Sequence, residues 1–340
     1  MRSLAVVVER FEGPEALAWR EVEVPAPRPS EVLVEVHAAG VNYPDLLVSR
    51  GTYQDLYPLP FVIGKEGAGI IRAVGSGVSG LSVGDRVAFQ IDAGAFGEIV
   101  LVPAKQCYPV PAGLALGVAA GMVLAYQTAY FALVDRGALK SGEWVLVLGA
   151  SGGVGIATVQ LARVLGGRVI AAVGSPDKGD FARVHGALAV VNAAPSADLQ
   201  NTLRPQIREI TDGHGIDLII DMVGGNAFDV SLRTLAPGGR LAVVGFASGQ
   251  IPSVKVNYLL LKHISVLGVN WGVYRDGDPE GVAEVQAKIF DMASRGLIAS
   301  PVTQVYPMSQ ISSALFDLEK RRVKGKIVLT TKYAGSTGVC

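Results

Sequence analysis

Cysteine is scarce in this sequence, which contains only Cys107 and Cys340 among its 340 residues. A disulfide scaffold or a cysteine-rich zinc site requires several cysteines at regular spacings. Histidine is also rare, and the four histidines show no spacing that suggests a ligand set or a catalytic triad. These absences exclude a disulfide-stabilised secreted domain and predict a reducing intracellular compartment.

An excess of either charge is missing as well. Lys and Arg together number 30, Asp and Glu together number 30, and the formal net charge is zero. We therefore expect neither nucleic acid nor an anionic membrane as a partner. The N-terminal MRSLAVVVERF is too short for a signal peptide or a membrane span, so a cytoplasmic location is expected. The terminal YAGSTGVC is small and polar, and we expect it to be disordered.

Glycine, by contrast, is abundant, with 42 residues, and half of the sequence is hydrophobic. The most informative stretch is 144–166, where an apolar run from Trp144 to Leu148 leads through a glycine-rich turn into a helical pattern. Backbone N–H groups and the positive end of a helix dipole bind anions, and glycines permit close approach of a pyrophosphate. We predict a dinucleotide on this loop, whose candidate residues are Ala150, Ser151, Gly152, Gly153 and Val154.

The patterns on either side predict an α/β protein of two domains. Residues 1–100 show short strands typical of a small, partly open barrel. From 144 to 245, strands alternate with helices, which indicates βαβ units and a parallel sheet. The pattern changes again after about residue 268. We expect a doubly wound Rossmann domain at 124–267, inserted into a β-rich domain formed by 1–123 and 268–340, with substrate in the cleft between them.

The end of the second Rossmann strand indicates which dinucleotide binds. NAD sites usually place Asp or Glu there to bond the ribose 2′-hydroxyl. This sequence reads AAVGSPDK, with Gly174 and Ser175 at the acidic position and Lys178 shortly after Asp177. Room for a phosphate beside an ammonium group favours NADPH. The alternative is that Lys178 simply faces water at the start of a helix.

Several stretches together resemble a known family. AAGVNYPDLLVSRGTYQ (38–54), PFVIGKEGAGII (60–71), VGSGVSGLSVGDRV (74–87), LVLGASGGVG (146–155) and VVGFASG (243–249) are similar to the medium-chain dehydrogenase/reductase superfamily. Within it, the chain resembles the zinc-independent quinone oxidoreductases, the group that includes zeta-crystallin. The resemblance implies a GroES-like β-barrel domain beside the Rossmann domain, and a homodimer built at the apolar segment 254–269.

The zinc ligands of the wider superfamily are missing. Zinc-dependent members carry Cys in the segment that matches GVNYPD and His in the one that matches GKEGAG, where this chain has Asn42 and Lys65. No cysteine lies between Cys107 and Cys340. A tetrahedral zinc site cannot be built from these residues, so we expect no metal.

The resemblance also implies the site residues. Asn42 would offer its amide to the nicotinamide ribose or to the substrate oxygen, although a turn residue before Pro44 is an alternative. Tyr53 matches a tyrosine near substrate that acts as a proton donor in related enoyl reductases, and its alternative is a surface aromatic. The matched cofactor positions are Thr128, Gly245, Phe246, Val269, Asn270 and Arg322. Arg322 belongs to a basic cluster, RRVKGK, and on sequence alone such a cluster is more often a solvated face. Where the family often has a tyrosine beside the 2′-phosphate, this chain has Ala193.

Three functions remain as hypotheses. The first is NADPH-dependent, zinc-free reduction of a quinone, because such an acceptor takes hydride without a Lewis acid. The second keeps the fold and cofactor and reduces an activated alkene, a 2-alkenal or an enoyl thioester. The third is a non-catalytic, crystallin-like binding protein, against which an intact glycine loop argues.

Overall fold

A computed structural model describes residues 1–194 and 198–336 of the chain. Of the C-terminal tail for which we expected disorder, Ala334–Ser336 forms a 3₁₀ turn, and residues 337–340, including Cys340, lie outside the described residues. Within the described ranges, no helix is both long and apolar enough to cross a bilayer.

The chain divides into two compact units. The first consists of residues 1–124 and 278–340, and the second of residues 125–277. The sequence had suggested that the second unit ends at 267, ten residues earlier. The helix Trp271–Gly277 belongs to the second unit because its aromatic rings pack on Phe131, with ring centroids 4.2 Å from Tyr274 and 5.7 Å from Trp271.

The strands and helices have the following bounds, each set in chain order. The strands are β1 (Arg2–Val8), β2 (Leu17–Glu23), β3 (Glu31–Val41), β4 (Phe61–Val62), β5 (Glu66–Val74), β6 (Arg86–Gln90), β7 (Ile99–Pro103), β8 (Cys107–Pro109), β9 (Trp144–Leu148), β10 (Arg168–Val173), β11 (Ala189–Asn192), β12 (Ile216–Asp221), β13 (Leu235–Val243), β14 (Ser265–Gly268), β15 (Val302–Pro307) and β16 (Lys326–Thr330). The helices are α1 (Tyr43–Ser49), α2 (Leu116–Ala120), α3 (Leu124–Phe131), α4 (Gly153–Val164), α5 (Pro176–Val184), α6 (Leu199–Ile210), α7 (Gly225–Ser231), α8 (Val256–Lys262), α9 (Trp271–Gly277), α10 (Pro279–Ser294) and α11 (Ile311–Glu319).

The second unit is built on a parallel sheet with the order β11-β10-β9-β12-β13-β14. In order of occurrence this is 3-2-1-4-5-6, the doubly wound arrangement in which dinucleotides bind where the order reverses. That reversal lies between β9 and β12, where Leu148 and Asp221 are register partners. Strand β9 is buried along its whole length because helices cover both faces of such a sheet. The predicted Rossmann fold is therefore confirmed.

The turn from β9 into α4 depends on glycine at two positions. Gly149 has φ +72°, a left-handed conformation that a side chain disfavours. A Cβ added to Gly155 would lie 2.2 Å from the carbonyl oxygen of Gly149, so the first turn of α4 packs directly on the loop backbone. The glycines of this stretch thus bring the helix N-terminus close to the end of β9.

The first unit contains a sheet with the order β15-β16-β3-β5-β6-β8, in which β7 also pairs with β3. A smaller sheet pairs β2, β1 and β4. Alternate residues of β3 (Val32, Val34 and Val36) are fully buried in the core of this unit. Strand β16, from the C-terminal part of the chain, pairs antiparallel with β3. The predicted β-rich domain formed by both parts of the chain is thus present.

Helix α10 begins with a side-chain cap. Asp278 precedes α10, and its carboxylate accepts a hydrogen bond from Gly281 N at 3.0 Å, while Pro279 occupies the first helical position. Helix α7 begins at Gly225, because the turn of Gly224 and Gly225 opens directly into it. The apolar segment 254–269 contains both a helix and a strand, with α8 preceding the edge strand β14.

Candidate functional site

A buried ion pair lies at the centre of the first unit. Lys326 Nζ is 2.7 Å from Glu66 Oε1, and both side chains are almost completely buried. The ammonium also donates to Val41 O at 3.1 Å and to Asn42 Oδ1 at 2.8 Å. The second carboxylate oxygen of Glu66 accepts from Leu124 N at 2.7 Å. All three ammonium protons and both carboxylate oxygens are therefore engaged, as a buried pair requires.

Asn42 is held in a single orientation by this pair. Its Oδ1 accepts from Lys326, and its Nδ2 donates to Glu66 Oε1 at 2.8 Å and to Gly40 O at 3.1 Å. A lysine can only donate and a carboxylate can only accept. The two partners therefore determine that the amide oxygen faces Lys326 and the amide nitrogen faces Glu66. Both Nδ2 protons are used within the protein. Asn42 can therefore accept one further hydrogen bond but cannot donate one to a substrate oxygen.

Asp45 is completely buried one turn into α1. Its Oδ2 accepts from Asn42 N at 2.8 Å, an interaction that fixes the start of the helix. Within the described residues its Oδ1 has no hydrogen-bond partner. Burial raises the pKa of this carboxyl to about 7, although the ammonium groups of Lys65 and Lys326 act against the rise. Arg50, in the turn after α1, pairs with Glu319.

Tyr53 and Lys65 form a second contact in the same unit. Lys65 Nζ lies 4.7 Å from the centroid of the Tyr53 ring, a cation–π distance. The ammonium also donates to Asp92 O at 2.9 Å, and the lysine is nearly buried. Tyr53 is half-buried, so it is neither a freely exposed surface aromatic nor part of the closed core.

These side chains do not fit a zinc ion. An ammonium has no lone pair to offer, so Lys65 cannot replace a histidine ligand. The ammonium of Lys326 occupies one side of Asn42 Oδ1 and would repel a cation there. Among residues 1–194 and 198–336, no group of three or more His, Cys, Asp and Glu side chains is arranged to hold a metal. Cys107 is buried in the barrel core, and burial raises the pKa of its thiol, so it is not a nucleophile.

The glycine loop of the second unit presents a helix N-terminus. Helix α4 begins after Gly152, and no side chain caps its first N–H groups. A capping residue normally satisfies one of those donors, so here they remain available to an anion. The predicted residues Ala150 and Ser151 are buried at this turn, which ends β9 at the point where the strand order reverses.

The end of β10 provides space beside Gly174. Among residues 1–194 and 198–336, a Cβ on Gly174 would meet nothing closer than Ala194 Cα at 3.8 Å, and Ala193 leaves the adjoining position without an aromatic ring. Ser175 is the N-cap of α5, and its hydroxyl donates to the carboxylate of Asp177. Lys178 follows in the first turn of α5. An anion beside Gly174 would thus lie next to the first turn of α5, which carries both Lys178 and Asp177.

Asp221 holds the loops after β12 and β13. Its buried Oδ1 accepts from Val223 N at 2.7 Å and Gly224 N at 2.9 Å, and its backbone oxygen accepts from Gly245 N at 3.3 Å. Burial raises the pKa of this carboxyl. The predicted residue Phe246 follows and is 38 % exposed. Asp221 therefore shapes the loop that carries two predicted cofactor residues.

The remaining predicted cofactor residues lie in both units. Val269 continues the ladder beyond β14, with its N–H donating to Val243 O at 3.0 Å. Asn270 precedes α9, and Thr128 is buried on α3. Arg322 belongs to the first unit, is 64 % exposed and lies 3.6 Å from Asp317. Parallel strands end at one edge of the sheet. The predicted cofactor positions on the glycine loop and after β10, β13 and β14 therefore lie at a single edge of the second unit.

Sequence reasoning missed the residues that organise Asn42. Lys326 is the last residue of RRVKGK, which had been interpreted as a solvated cluster, yet it is buried against Glu66. Its one distinguishing signal is its position as the first residue of an apolar strand, KIVLT. Glu66 lies within GKEGAG, the segment that was inspected for zinc ligands, and its partner lies 260 positions away in the sequence.

Comparisons with known proteins cover nearly the whole chain. Residues 28–112 match the family described as Alcohol dehydrogenase GroES-like domain, and residues 153–287 match the one described as Zinc-binding dehydrogenase. The zinc of the second description disagrees with the donor set at Asn42 and Lys65.

Similar proteins share the whole length of the chain. It is 37% identical over 311 residues to quinone oxidoreductase-like protein 2 of Mus musculus, which covers 90% of this chain and 87% of that protein. It is 34% identical over 324 residues to a quinone oxidoreductase of Pseudomonas aeruginosa, which covers 94% and 97%. The crystal structure of Escherichia coli quinone oxidoreductase complexed with NADPH is similar with a TM-score of 0.87 and 30% identity, covering 96% and 99%.

Breaking the buried ion pair should strongly destabilise the protein. We expect Lys326→Met to cost about 3–5 kcal/mol, because it leaves the Glu66 carboxylate buried without its cation. Urea denaturation measures the loss. Arg295→Met is the control, since that exposed arginine pairs with the equally exposed Asp291 and should cost about 1 kcal/mol or less. Equal losses in the two variants would contradict a structural role for the buried pair.

Asp45 should make the stability depend on pH. Its pKa is raised in the folded protein, so between pH 4 and 7 unfolding releases a proton and stability falls as pH rises. The Asp45→Asn variant lacks this dependence. Its free energy of unfolding minus that of the parent should therefore increase up to pH 7, by at most about 4 kcal/mol, and stay constant above pH 7. Denaturation across this pH range measures the difference. Asp229→Asn, at an exposed position, is the control, and a pH-independent difference for Asp45→Asn would refute the assignment.

Proposed function

Because the chain belongs to the zinc-independent quinone oxidoreductase group of the medium-chain dehydrogenase/reductase superfamily, we propose that it is an NADPH-dependent quinone oxidoreductase. The resemblance found in the sequence is confirmed by these comparisons. The observation that carries the proposal is the carboxyl edge of the parallel sheet, where an uncapped helix N-terminus lies at the point of strand-order reversal.

The second unit has the features required to hold NADPH. The first N–H groups of α4 bind the pyrophosphate, and the space beside Gly174 accepts the 2′-phosphate with Lys178 as its cation. No carboxylate occupies the end of β10 itself, where an NAD site would have one. When bound, NADPH supplies a hydride from its nicotinamide. Asp177, bonded to Ser175, keeps a negative charge nearby and limits the preference over NADH.

The first unit supplies the groups that act on the acceptor. Asn42 accepts a hydrogen bond from a hydroxyl, such as that of the nicotinamide ribose, because its two amide protons are already used. This narrows the earlier expectation, in which Asn42 could also donate to the substrate oxygen. Tyr53 remains as the proton donor.

The acceptor must take hydride without a Lewis acid, since the side chains at Asn42 and Lys65 cannot ligate zinc. A quinone meets this condition. An activated alkene also meets it, and a half-buried phenol at Tyr53 is the observation that favours this second candidate, because an alkene carbanion requires a proton.

The proposed compartment is the cytoplasm.

An acceptor panel tests the function. The purified protein should oxidise NADPH, and NADH more slowly, with simple quinones, and 2-alkenals and enoyl thioesters should react more weakly. Lys178→Met should raise the KM for NADPH about ten-fold and leave that for NADH nearly unchanged, because only NADPH carries the 2′-phosphate. Turnover of alkenes but not quinones would select the second candidate. Failure to bind NADPH in a titration would refute both enzymes in favour of a binding protein.

We also propose a homodimer formed at β14. Among the described residues this strand pairs only with β13, so one of its edges is unpaired. Apolar side chains are exposed next to it on α8, with Leu260 and Leu261 80% and 78% exposed. A two-fold axis at this edge would extend the sheet and cover them.

Charge at this surface should separate the protomers. Leu260→Lys combined with Leu261→Lys places two ammonium groups on each side of the proposed interface, and we expect a monomer by sedimentation or light scattering. Val184→Lys is the control, because that residue is equally exposed on α5, away from β14. A parent protein that is already monomeric would refute the proposal.

A further inference from the structure

We propose that Asp221 couples binding of NADPH to the uptake of one proton, so that the protein holds the cofactor more tightly when this buried carboxyl is neutral than when it is ionised. The inference rests on the proposed function, because it needs the cofactor at the carboxyl edge of the parallel sheet. It adds a role in cofactor affinity to a residue that also shapes the loops after β12 and β13.

The carboxyl of Asp221 is completely buried, and its two oxygens differ. Oδ1 accepts hydrogen bonds from Val223 N at 2.7 Å and Gly224 N at 2.9 Å. Within residues 1–194 and 198–336, Oδ2 has no hydrogen-bond partner. Burial raises the pKa of this carboxyl, and the two N–H groups act against the rise. A proton on Oδ2 therefore removes the cost of a buried charge that the protein solvates on one side only.

The same carboxyl lies beside the strand that leads into the glycine loop. Asp221 is the register partner of Leu148, the last residue of β9, and neighbouring strands are about 4.8 Å apart. The turn that Asp221 holds touches the glycine loop, since a Cβ on Gly149 would lie 3.1 Å from Val223 Cγ2. A pyrophosphate on the first N–H groups of α4 would thus bring negative charge close to Asp221, in an interior that transmits the repulsion well.

The other charged groups on the surrounding elements do not offset this repulsion. Strand β9 carries no charged side chain, Arg163 lies in the last turn of α4, and Asp229 on α7 is exposed. The charged side chains of β12 and β13 lie three or four residues before the carboxyl ends of those strands and have partners there, with Arg240 bound to Glu143 and Asp217 bound to His214. In the described part of the chain, no cation forms an ion pair with Asp221.

Repulsion between two anions makes proton binding and cofactor binding support each other. Bound cofactor raises the pKa of Asp221 further, and by linkage a proton on Asp221 strengthens cofactor binding. Between the pKa values of the free and the bound protein, an O–H bond forms on Oδ2 with a proton from the buffer as the cofactor binds. Affinity should therefore decrease as pH rises through this range and stay constant below it.

The best ligand for the measurement is NADH. The 2′-phosphate of NADPH loses its own second proton at a pH of about 6, and its added charge favours binding beside Lys178 as pH rises. That effect has the opposite sign to the one expected from Asp221. NADH lacks this phosphate and carries the same pyrophosphate.

Fluorescence titration of NADH from about pH 6 to pH 9 tests the coupling. The Kd of the parent should increase about ten-fold over this range, which corresponds to a pKa difference of about one unit between the free and the bound protein. Asp221→Asn keeps an oxygen that accepts from Val223 N and Gly224 N but cannot ionise. Its Kd should not depend on pH, and at the alkaline end it should be about ten-fold lower than that of the parent. Asp229→Asn is the control and should follow the parent.

Calorimetry of the parent supplies a measurement that needs no variant. At an intermediate pH where Kd is changing, the binding enthalpies in two buffers of different ionisation enthalpy should differ, because the bound proton comes from the buffer. Equal enthalpies, a Kd for NADH that does not depend on pH, or the same pH dependence in Asp221→Asn would overturn the inference. A parent protein that binds neither NADPH nor NADH would instead refute the proposed function.

Discussion

The buried contact of Lys326 with Glu66 is the constraint on which the arrangement of the first unit depends. Two opposite charges removed from water must satisfy each other and every remaining hydrogen-bonding atom. Here that requirement fixes Val41 O, Asn42 and Leu124 N around the pair. The amide of Asn42 has one orientation because of it, and Asn42 in turn donates its backbone N–H to Asp45. The site thus derives from electrostatic satisfaction rather than from a metal.

The second unit obtains its binding edge from backbone geometry. Glycines bring α4 against the end of β9, and Asp221 holds the loop after β12 with its carboxylate and the loop after β13 with its backbone oxygen. In this unit small residues such as Gly174 leave space for a ligand, whereas in the first unit charged side chains form the site. The proposed role of the second unit, binding a polyanionic cofactor, thus depends on backbone geometry. The proposed role of the first unit, supplying a proton to the acceptor, depends on charged and polar side chains.

The sequence allowed the fold to be predicted well, because strand and helix periodicities in 144–245 are local signals. The glycine loop and the lack of an acid after β10 could also be read locally. The pairing of Lys326 with Glu66 could not, because it joins residues 260 positions apart, and the position of Lys326 at the start of an apolar strand does not identify its partner. The same reason explains why the hydrogen-bonding capacity of Asn42 was overestimated. The boundary after residue 267 shifted because aromatic packing on Phe131 outweighs the change in local pattern.

The insertion of the second unit between two parts of the first has a consequence for the order of synthesis. Residues 125–277 leave the ribosome as one continuous stretch and can fold as a unit, since domains generally fold as they emerge. The first unit must wait for β16, whose first residue is Lys326. Until then Glu66 has no cation and Asn42 has no fixed orientation. The unit built on the parallel sheet can therefore be complete well before the unit that contains the pair of Lys326 and Glu66.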